Sequence, residues 1–161
     1  MIKSVLHLGS NQGFRIINLE LARLMISNHL GPIIKQSKLY ETAAWGVTNQ
    51  ANFVNQALVI KTILKPMALL EGIHLIEKKL GRQKGERWGP RIIDIDILFY
   101  GDEILKNEEL KIPHAELTNR KFVLVPVHEI IPEHIHPELD KTISILMDEC
   151  DDTSKVQLII E

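Results

Sequence analysis

Apolar positions along this chain follow two rhythms, one of period two and one near 3.6, and the switches between them outline its elements. Residues 3–8 read as a first strand that runs into Gly9-Ser10-Asn11, where Ser10 or Asn11 can cap a following helix. That helix is expected to reach about His29, with Phe14, Ile17, Leu21, Leu24 and Met25 recurring at helical spacing. Gly31-Pro32 interrupts it, and 33–40 begins a second strand. A polar, small-residue connection over 41–50 precedes an alternating third strand, 53–63. Pro66 suits the first position of a helix over 67–80, which Gly81 stops. After an irregular stretch, 81–90, alternation returns: Ile93, Ile95, Ile97 and Phe99 point one way, Ile92, Asp94, Asp96 and Leu98 the other.

The remaining signals are shorter. Residues 103–105 and 110–112 read as strand pieces, 116–120 as a helical turn and 139–147 as a last helix, with 156–160 a possible edge strand. The apolar run 122–126 contains Pro126, which bars it from being a long central strand. The order β-α-β-β-α-β over the first hundred residues predicts an α+β, ferredoxin-like sandwich, an antiparallel sheet with helices packed on one face and a C-terminal extension. The whole chain, 1–161, is expected to form one domain.

Charge and composition remove several function classes. Nineteen basic residues against twenty-one acidic give a net charge of -2, so no broad footprint for nucleic acid exists. No apolar run approaches the roughly 20 residues that span a bilayer, and 1–13 lacks the apolar core of a signal peptide. Neither nucleic acid nor membrane is expected as a partner. Cys150 is the single cysteine, which suits a reducing cytoplasm, and its acidic neighbours Asp148, Glu149, Asp151 and Asp152 would raise its pKa, arguing against a nucleophile. His128, His134 and His136 alternate with glutamates, but Pro132 and Pro137 interrupt them and no His-Glu-x-x-His spacing occurs, so zinc is not expected there.

The candidate chemistry sits in the strand with the aspartates. Asp94 and Asp96 are i and i+2, hence on one face and roughly 6–7 Å apart. Two carboxylates so placed repel unless a cation lies between them, and one or two magnesium ions shared with substrate phosphates would supply it. Upstream, Arg82, Lys84, Arg87 and Arg91 place four cations within ten residues, diluted by Glu86 and made flexible by Gly81, Gly85 and Gly89. Carboxylates beside phosphate-holding arginines point to a nucleoside triphosphate, and the glycine-rich stretch reads as a lid.

The run Arg87-Trp88-Gly89-Pro90-Arg91-Ile92-Ile93-Asp94-Ile95-Asp96 closely resembles the signature of the 6-hydroxymethyl-7,8-dihydropterin pyrophosphokinase family. A second block, Leu110-Lys111-Ile112-Pro113-His114 followed by Leu117, Arg120, Phe122 and Glu129, carries the same resemblance, as does a third, Tyr40-Glu41-Thr42 with Asn52-Phe53-Val54-Asn55. It implies pyrophosphate transfer from ATP to the pterin alcohol in folate biosynthesis, with two magnesium ions on Asp94 and Asp96 and a likewise implied catalytic role for Arg82 and Arg91. By the same resemblance Lys84, Arg87, Ile97, Lys111, His114 and Arg120 belong with the nucleotide. Thr42, Ala43, Trp45, Phe53, Asn55, Trp88 and Phe122 belong with the pterin, the ring lying between Phe53 and Phe122. Lys84 and Ala115 depart from the family pattern of arginine and tyrosine, and Glu77 falls at a family position of the active centre whose role stays open. A monomer is expected. A different two-metal nucleotidyltransferase or a non-catalytic ferredoxin-like binding module are the competing readings; release of AMP from ATP separates the first from both.

Overall fold

The computed structural model describes residues 1–44, 49–83, 85 and 89–159. Its centre is an antiparallel sheet built from β1 (Ile2–Ser10), β2 (Ile33–Gln36), β3 (Tyr40–Thr42), β4 (Phe53–Thr62), β5 (Asp94–Tyr100) and β8 (Val156–Leu158), in the order β5-β1-β4-β3-β8, with β2 also on β4. A small hairpin, β6 (Leu105–Lys106) with β7 (Lys111–Ile112), follows β5. The expected second strand is thus two short strands, β2 and β3, both on β4. The expected edge strand forms as β8, which pairs with β3.

Helices α1 (Arg15–His29) and α2 (Pro66–Lys79) cover one face of the sheet. Leu19, Ala22 and Ile26 of α1 and Leu69, Ile73 and Ile76 of α2 pack there on Leu6, Leu8, Val54, Leu58, Ile60, Ile95 and Ile97. Of the apolar positions read for α1 only Met25 packs on the core; Phe14 is 79% exposed and Leu24 59%, with Ile17 and Leu21 also exposed. Apolar residues lie on both sides of this helix, so periodicity alone fits either. Nor does Ser10 or Asn11 cap it; Phe14 is the N-cap and no side chain bonds the free N–H groups. Helix α2 begins at Pro66, as read, because proline lacks the N–H that the first turn cannot use.

The opposite face is covered over half its length by α3 (Lys121–Ile130) and α4 (Ile143–Glu149), with a single 3-10 turn, Leu117–Asn119, before α3. Here two expectations change. The apolar run 122–126 is helical, with Pro126 inside α3, and the last helix starts at Ile143, where Thr142 caps it by accepting from the Ile145 N–H. The two helices of the first hundred residues thus share one face, as expected, and the C-terminal extension places its own helices on the other. Phe99 also leaves the face predicted for it. The β1–β5 register pairs Val5 with Phe99 and Leu6 with Ile97, so Leu98 is an extra residue in a bulge. Beyond it the alternation slips by one, and both Leu98 and Phe99 pack beneath α3 and α4 with Val5, Ala57 and Val59.

Candidate active site

The uncovered half of that second face continues the same strands. Gly9 of β1 lies in register between Asp94 of β5 and Asn55 of β4, and His7 lies beside Asp96. With strands about 4.8 Å apart, Asp94 and Asn55 stand roughly 10 Å apart across the glycine. Gly9 keeps this floor flat: a Cβ there would meet Asn55 Oδ1 at 3.4 Å, the Phe53 ring at 3.5 Å and His7 Cε1 at 3.9 Å. Asn55 is buried and donates to Thr42 Oγ1 at 2.9 Å, which fixes its amide and turns its oxygen toward that floor. Phe53 and Phe122 both line the resulting cleft, whose lining also includes Ala43, Arg82, Gly89, Arg91 and Arg120.

A second cleft opens on the other side of the aspartates. Leu70, His74, Ile97, Lys111, His114 and Ala115 line it, and Glu77, Arg82, Asp94 and Asp96 border it. Arg82, Asp94 and Asp96 thus belong to both clefts and separate them. Two ligands, one in each cleft, would meet at the carboxylates.

The charges at this junction are tied together. The Arg82 guanidinium donates to Asp94 Oδ1 at 2.8 Å and also to Glu77. Glu77, buried on α2, accepts the Ile95 backbone N–H at 3.0 Å, between the two aspartates, and so anchors β5 to the helix. Burial pushes Glu77 up to about 7 despite the guanidinium beside it. Asp96 is raised well above the ordinary carboxylate range, first by desolvation and then by the charge of Asp94, although 32% of its side-chain surface still faces the cleft. His114 Nε2 lies 3.9 Å from Asp96, and burial followed by the Arg120 charge lowers it. A carboxylate pair held at this cost to ionisation suits a hard cation. Among the described residues no cluster of three His, Cys, Asp or Glu side chains that could hold a metal is assembled.

Residues 5–132 match the profile of the 7,8-dihydro-6-hydroxymethylpterin-pyrophosphokinase family. The chain belongs to this family. Among its relatives, the 2-amino-4-hydroxy-6-hydroxymethyldihydropteridine pyrophosphokinase of Aquifex aeolicus is 47% identical over 132 residues, 82% of each chain. The proteins of the same name from Bacillus subtilis and Haemophilus influenzae are 44% and 38% identical, over 76% and 85% of this chain and 74% and 86% of their own. The HPPK-DHPS protein of Plasmodium falciparum shares the fold at 23% identity with a TM-score of 0.75; the match covers 92% of this chain and 44% of that longer one. The chain likewise spans 38% of a matching bifunctional Lactococcus lactis protein.

In this pyrophosphokinase the two clefts sort the residues read from sequence. Thr42, Ala43, Phe53, Asn55 and Phe122 come together in the first, with Arg91; Ile97, Lys111 and His114 come together in the second. Arg120, read with the nucleotide, lines the first cleft, its guanidinium 5.8 Å from the centre of the Phe122 ring. Trp45, Lys84, Arg87 and Trp88 lie outside the described residues.

Three contributors carried little sequence signal. Asn11, read as a helix cap, instead clamps the approach to β5: its amide oxygen accepts the Arg91 N–H at 2.8 Å and its own N–H donates to the Arg91 carbonyl at 3.0 Å. Its side-chain nitrogen reaches Gln50 and the Ala51 carbonyl, so one residue ties both loops of the first cleft together. Glu77 is one more charged helix residue until the fold puts it under Asp94. His7 was a lone histidine in an apolar strand; burial takes it down to about 3, so it stays neutral.

Proposed function

We propose that this pyrophosphokinase transfers pyrophosphate from ATP to 6-hydroxymethyl-7,8-dihydropterin, with the pterin in the first cleft and the triphosphate in the second. The observation that carries this arrangement is the shared border: Arg82, Asp94 and Asp96 line both clefts, so acceptor and donor meet across them. The pterin ring stacks between Phe53 and Phe122 over Gly9, and the Asn55 oxygen takes hydrogen bonds from its amide-like edge. That edge and the carboxylates lie at opposite ends of the floor, which turns the hydroxymethyl arm toward Asp94 and Asp96. Ile97 gives the nucleotide an apolar wall, while Lys111 and His114 face its polar groups.

Asp94 and Asp96 fit magnesium, which when bound offsets phosphate charge and holds the triphosphate in line. The pterin hydroxyl oxygen forms a bond to the β-phosphorus, the bond from that phosphorus to the α–β bridging oxygen breaks, and AMP leaves. Arg82 and Arg91 stabilise the charge that spreads over the transferred group, and His114 faces the same region beside Asp96. Arg82 exchanges its contact with Asp94 for phosphate oxygens when the site fills. Asp96 borders both clefts and so stands where it can take the hydroxyl proton.

Incubation with ATP, magnesium and the pterin alcohol tests the reading. AMP and the pterin pyrophosphate are expected in equal amounts. Release of pyrophosphate would indicate nucleotidyl transfer instead, and no nucleotide product would indicate a binding module. Omitting magnesium or adding a chelator should abolish turnover; unchanged turnover would overturn the metal assignment.

A further inference from the structure

Two polar atoms on the first cleft are buried and without a hydrogen-bond partner among the described residues: His7 Nε2 and Arg120 Nε. They flank one ring. The His7 imidazole meets Phe122 edge-on at 5.7 Å, and the Arg120 guanidinium stands 5.8 Å from the centre of the same ring. His7 itself is only 4% exposed, yet its Cε1 faces the open floor at Gly9.

The backbone explains why His7 is set this way. Pro126 sits inside α3 and has no N–H to donate to the carbonyl four residues earlier, that of Phe122. The His7 ring hydrogen-bonds the Phe122 backbone, and since Nε2 has no partner this bond comes from Nδ1–H. A neutral imidazole that donates through one nitrogen accepts through the other. His7 therefore presents a bare lone pair, and Arg120 Nε–H, beside the same ring, presents an unused proton. An acceptor and a donor that both border the Phe122 ring suit a group that is both, and such a group is a hydroxyl.

We propose that His7 is a specificity-determining residue that, with Arg120, holds the hydroxyl of the acceptor substrate: the hydroxyl donates to His7 Nε2 and accepts from Arg120 Nε–H. The inference rests on the pterin assignment above. His7 stands beside Asp96 in the sheet register, at the end of the floor to which the hydroxymethyl arm points. Its contribution is orientation before reaction; for transfer the hydroxyl turns its one proton from His7 to Asp96, which lies beside it in the register. An alcohol is thereby distinguished from the same ring bearing an alkyl arm.

The test compares binding of 6-hydroxymethyl-7,8-dihydropterin with binding of 6-methyl-7,8-dihydropterin by calorimetry, in the presence of magnesium and a non-hydrolysable ATP analogue. Wild-type protein is expected to prefer the alcohol by roughly 10- to 100-fold, the range for losing one or two buried hydrogen bonds. His7→Phe keeps the ring volume and should reduce that preference to less than about 3-fold while leaving the methyl compound's affinity unchanged. His7→Gln, which retains an acceptor, should restore part of it. In wild-type protein the 15N resonance of His7 Nε2 should move upfield with the alcohol and stay in place with the methyl compound. That reading needs no variant to fold. A preference that survives in His7→Phe, an equal loss for both compounds, or an unmoved resonance would each overturn the role of His7. Failure of wild-type protein to bind either pterin would instead overturn the assignment of the cleft.

Discussion

The face of the sheet that carries the active site is two surfaces made from one set of strands. At one end Val5, Ala57, Val59, Leu98 and Phe99 lie sealed under α3 and α4. At the other, two to four residues along the same strands, His7, Gly9, Asn55, Asp94 and Asp96 line the clefts. The bulge at Leu98 lies at the join. The covered half stabilises the fold by burying apolar surface. In the open half like charges and orphaned polar groups oppose folding and are kept because ligands satisfy them. Each half can be damaged without the other, and the following predictions are ordered by the size of the expected effect.

The largest effect should come from the open half. Asp94→Ala and Asp96→Ala are each expected to lower kcat/KM by about 10³-fold or more, a loss of roughly 4 kcal/mol in transition-state stabilisation. Thermal stability should not fall. The raised pKa of Asp96 means that its charged form is disfavoured in the folded protein at neutral pH, so Asp96→Ala should raise Tm. Calorimetry and steady-state kinetics on the same preparations decide it, and a parallel fall in Tm and activity would break the distinction between the halves.

The covered half should answer the other way. Ile143 of α4 is fully buried in the cluster under that face. Ile143→Ala is expected to cost about 2–5 kcal/mol of stability, as truncations in packed cores do, while KM for both substrates stays within about 2-fold. Denaturant unfolding and kinetics below the transition midpoint give both numbers. A change in pterin KM would show that α4 supports the cleft as well as the core.

How far each half could be read in advance follows from the kind of signal it leaves. The open half was legible because Asp94 and Asp96 break an apolar alternation on one face, and because long motifs joined them to Arg82, His114 and Asn55. The covered half left apolar runs, and these fit more than one arrangement. Residues 122–126 gave no helical boundary, since Pro126 suggested a break and only the packing of Val123, Leu124 and Val127 shows that α3 accommodates it. Phe99 was placed on the wrong face because a bulge shifts the period without changing composition. Phe14, Ile17, Leu21 and Leu24 have core spacing but Leu19, Ala22 and Ile26 face the sheet, and nothing local chooses between two apolar stripes. Asn11 and His7 act through partners about eighty and one hundred and fifteen residues away, Arg91 and Phe122, which no local pattern reveals.

Within the open half, binding and chemistry can be separated. Asn55→Ala removes the acceptor over Gly9 and frees Thr42 Oγ1 from its 2.9 Å contact. Pterin affinity should fall by roughly 10- to 100-fold with ATP affinity unchanged, because the loss leaves the ring's polar edge unpaired. Equal losses for the two ligands in calorimetry would mean that Asn55 supports the strands instead of reading the pterin.

The smallest effect should be a pH dependence seated in the covered half. His136 is 5% exposed, its ring edge-on to Phe99 at 5.7 Å, and its Nδ1 accepts the backbone N–H groups of Glu138 and Leu139 at 3.2 Å each. Protonation of that nitrogen would replace two acceptor contacts with repulsion. Burial, the leading cause, lowers its pKa; Glu138 acts against this and neighbouring His134, itself lowered, acts with it. The sign follows from the unfolded chain, where histidine titrates near 6.5. Above that value both states bind no proton and the full contribution is present; as pH falls below it the unfolded state binds protons first, so stability is lost toward the lower, folded pKa. His136 should therefore contribute a loss of a few degrees in Tm, roughly, between pH 7.5 and 5.5, read as the difference between the wild type and a variant that does not titrate there. His136→Asn keeps a short acceptor for the turn but does not titrate, so toward pH 5.5 its Tm should rise relative to that of the wild type while its activity at pH 7.5 is unchanged. Parallel curves for the two proteins would remove His136 from the effect.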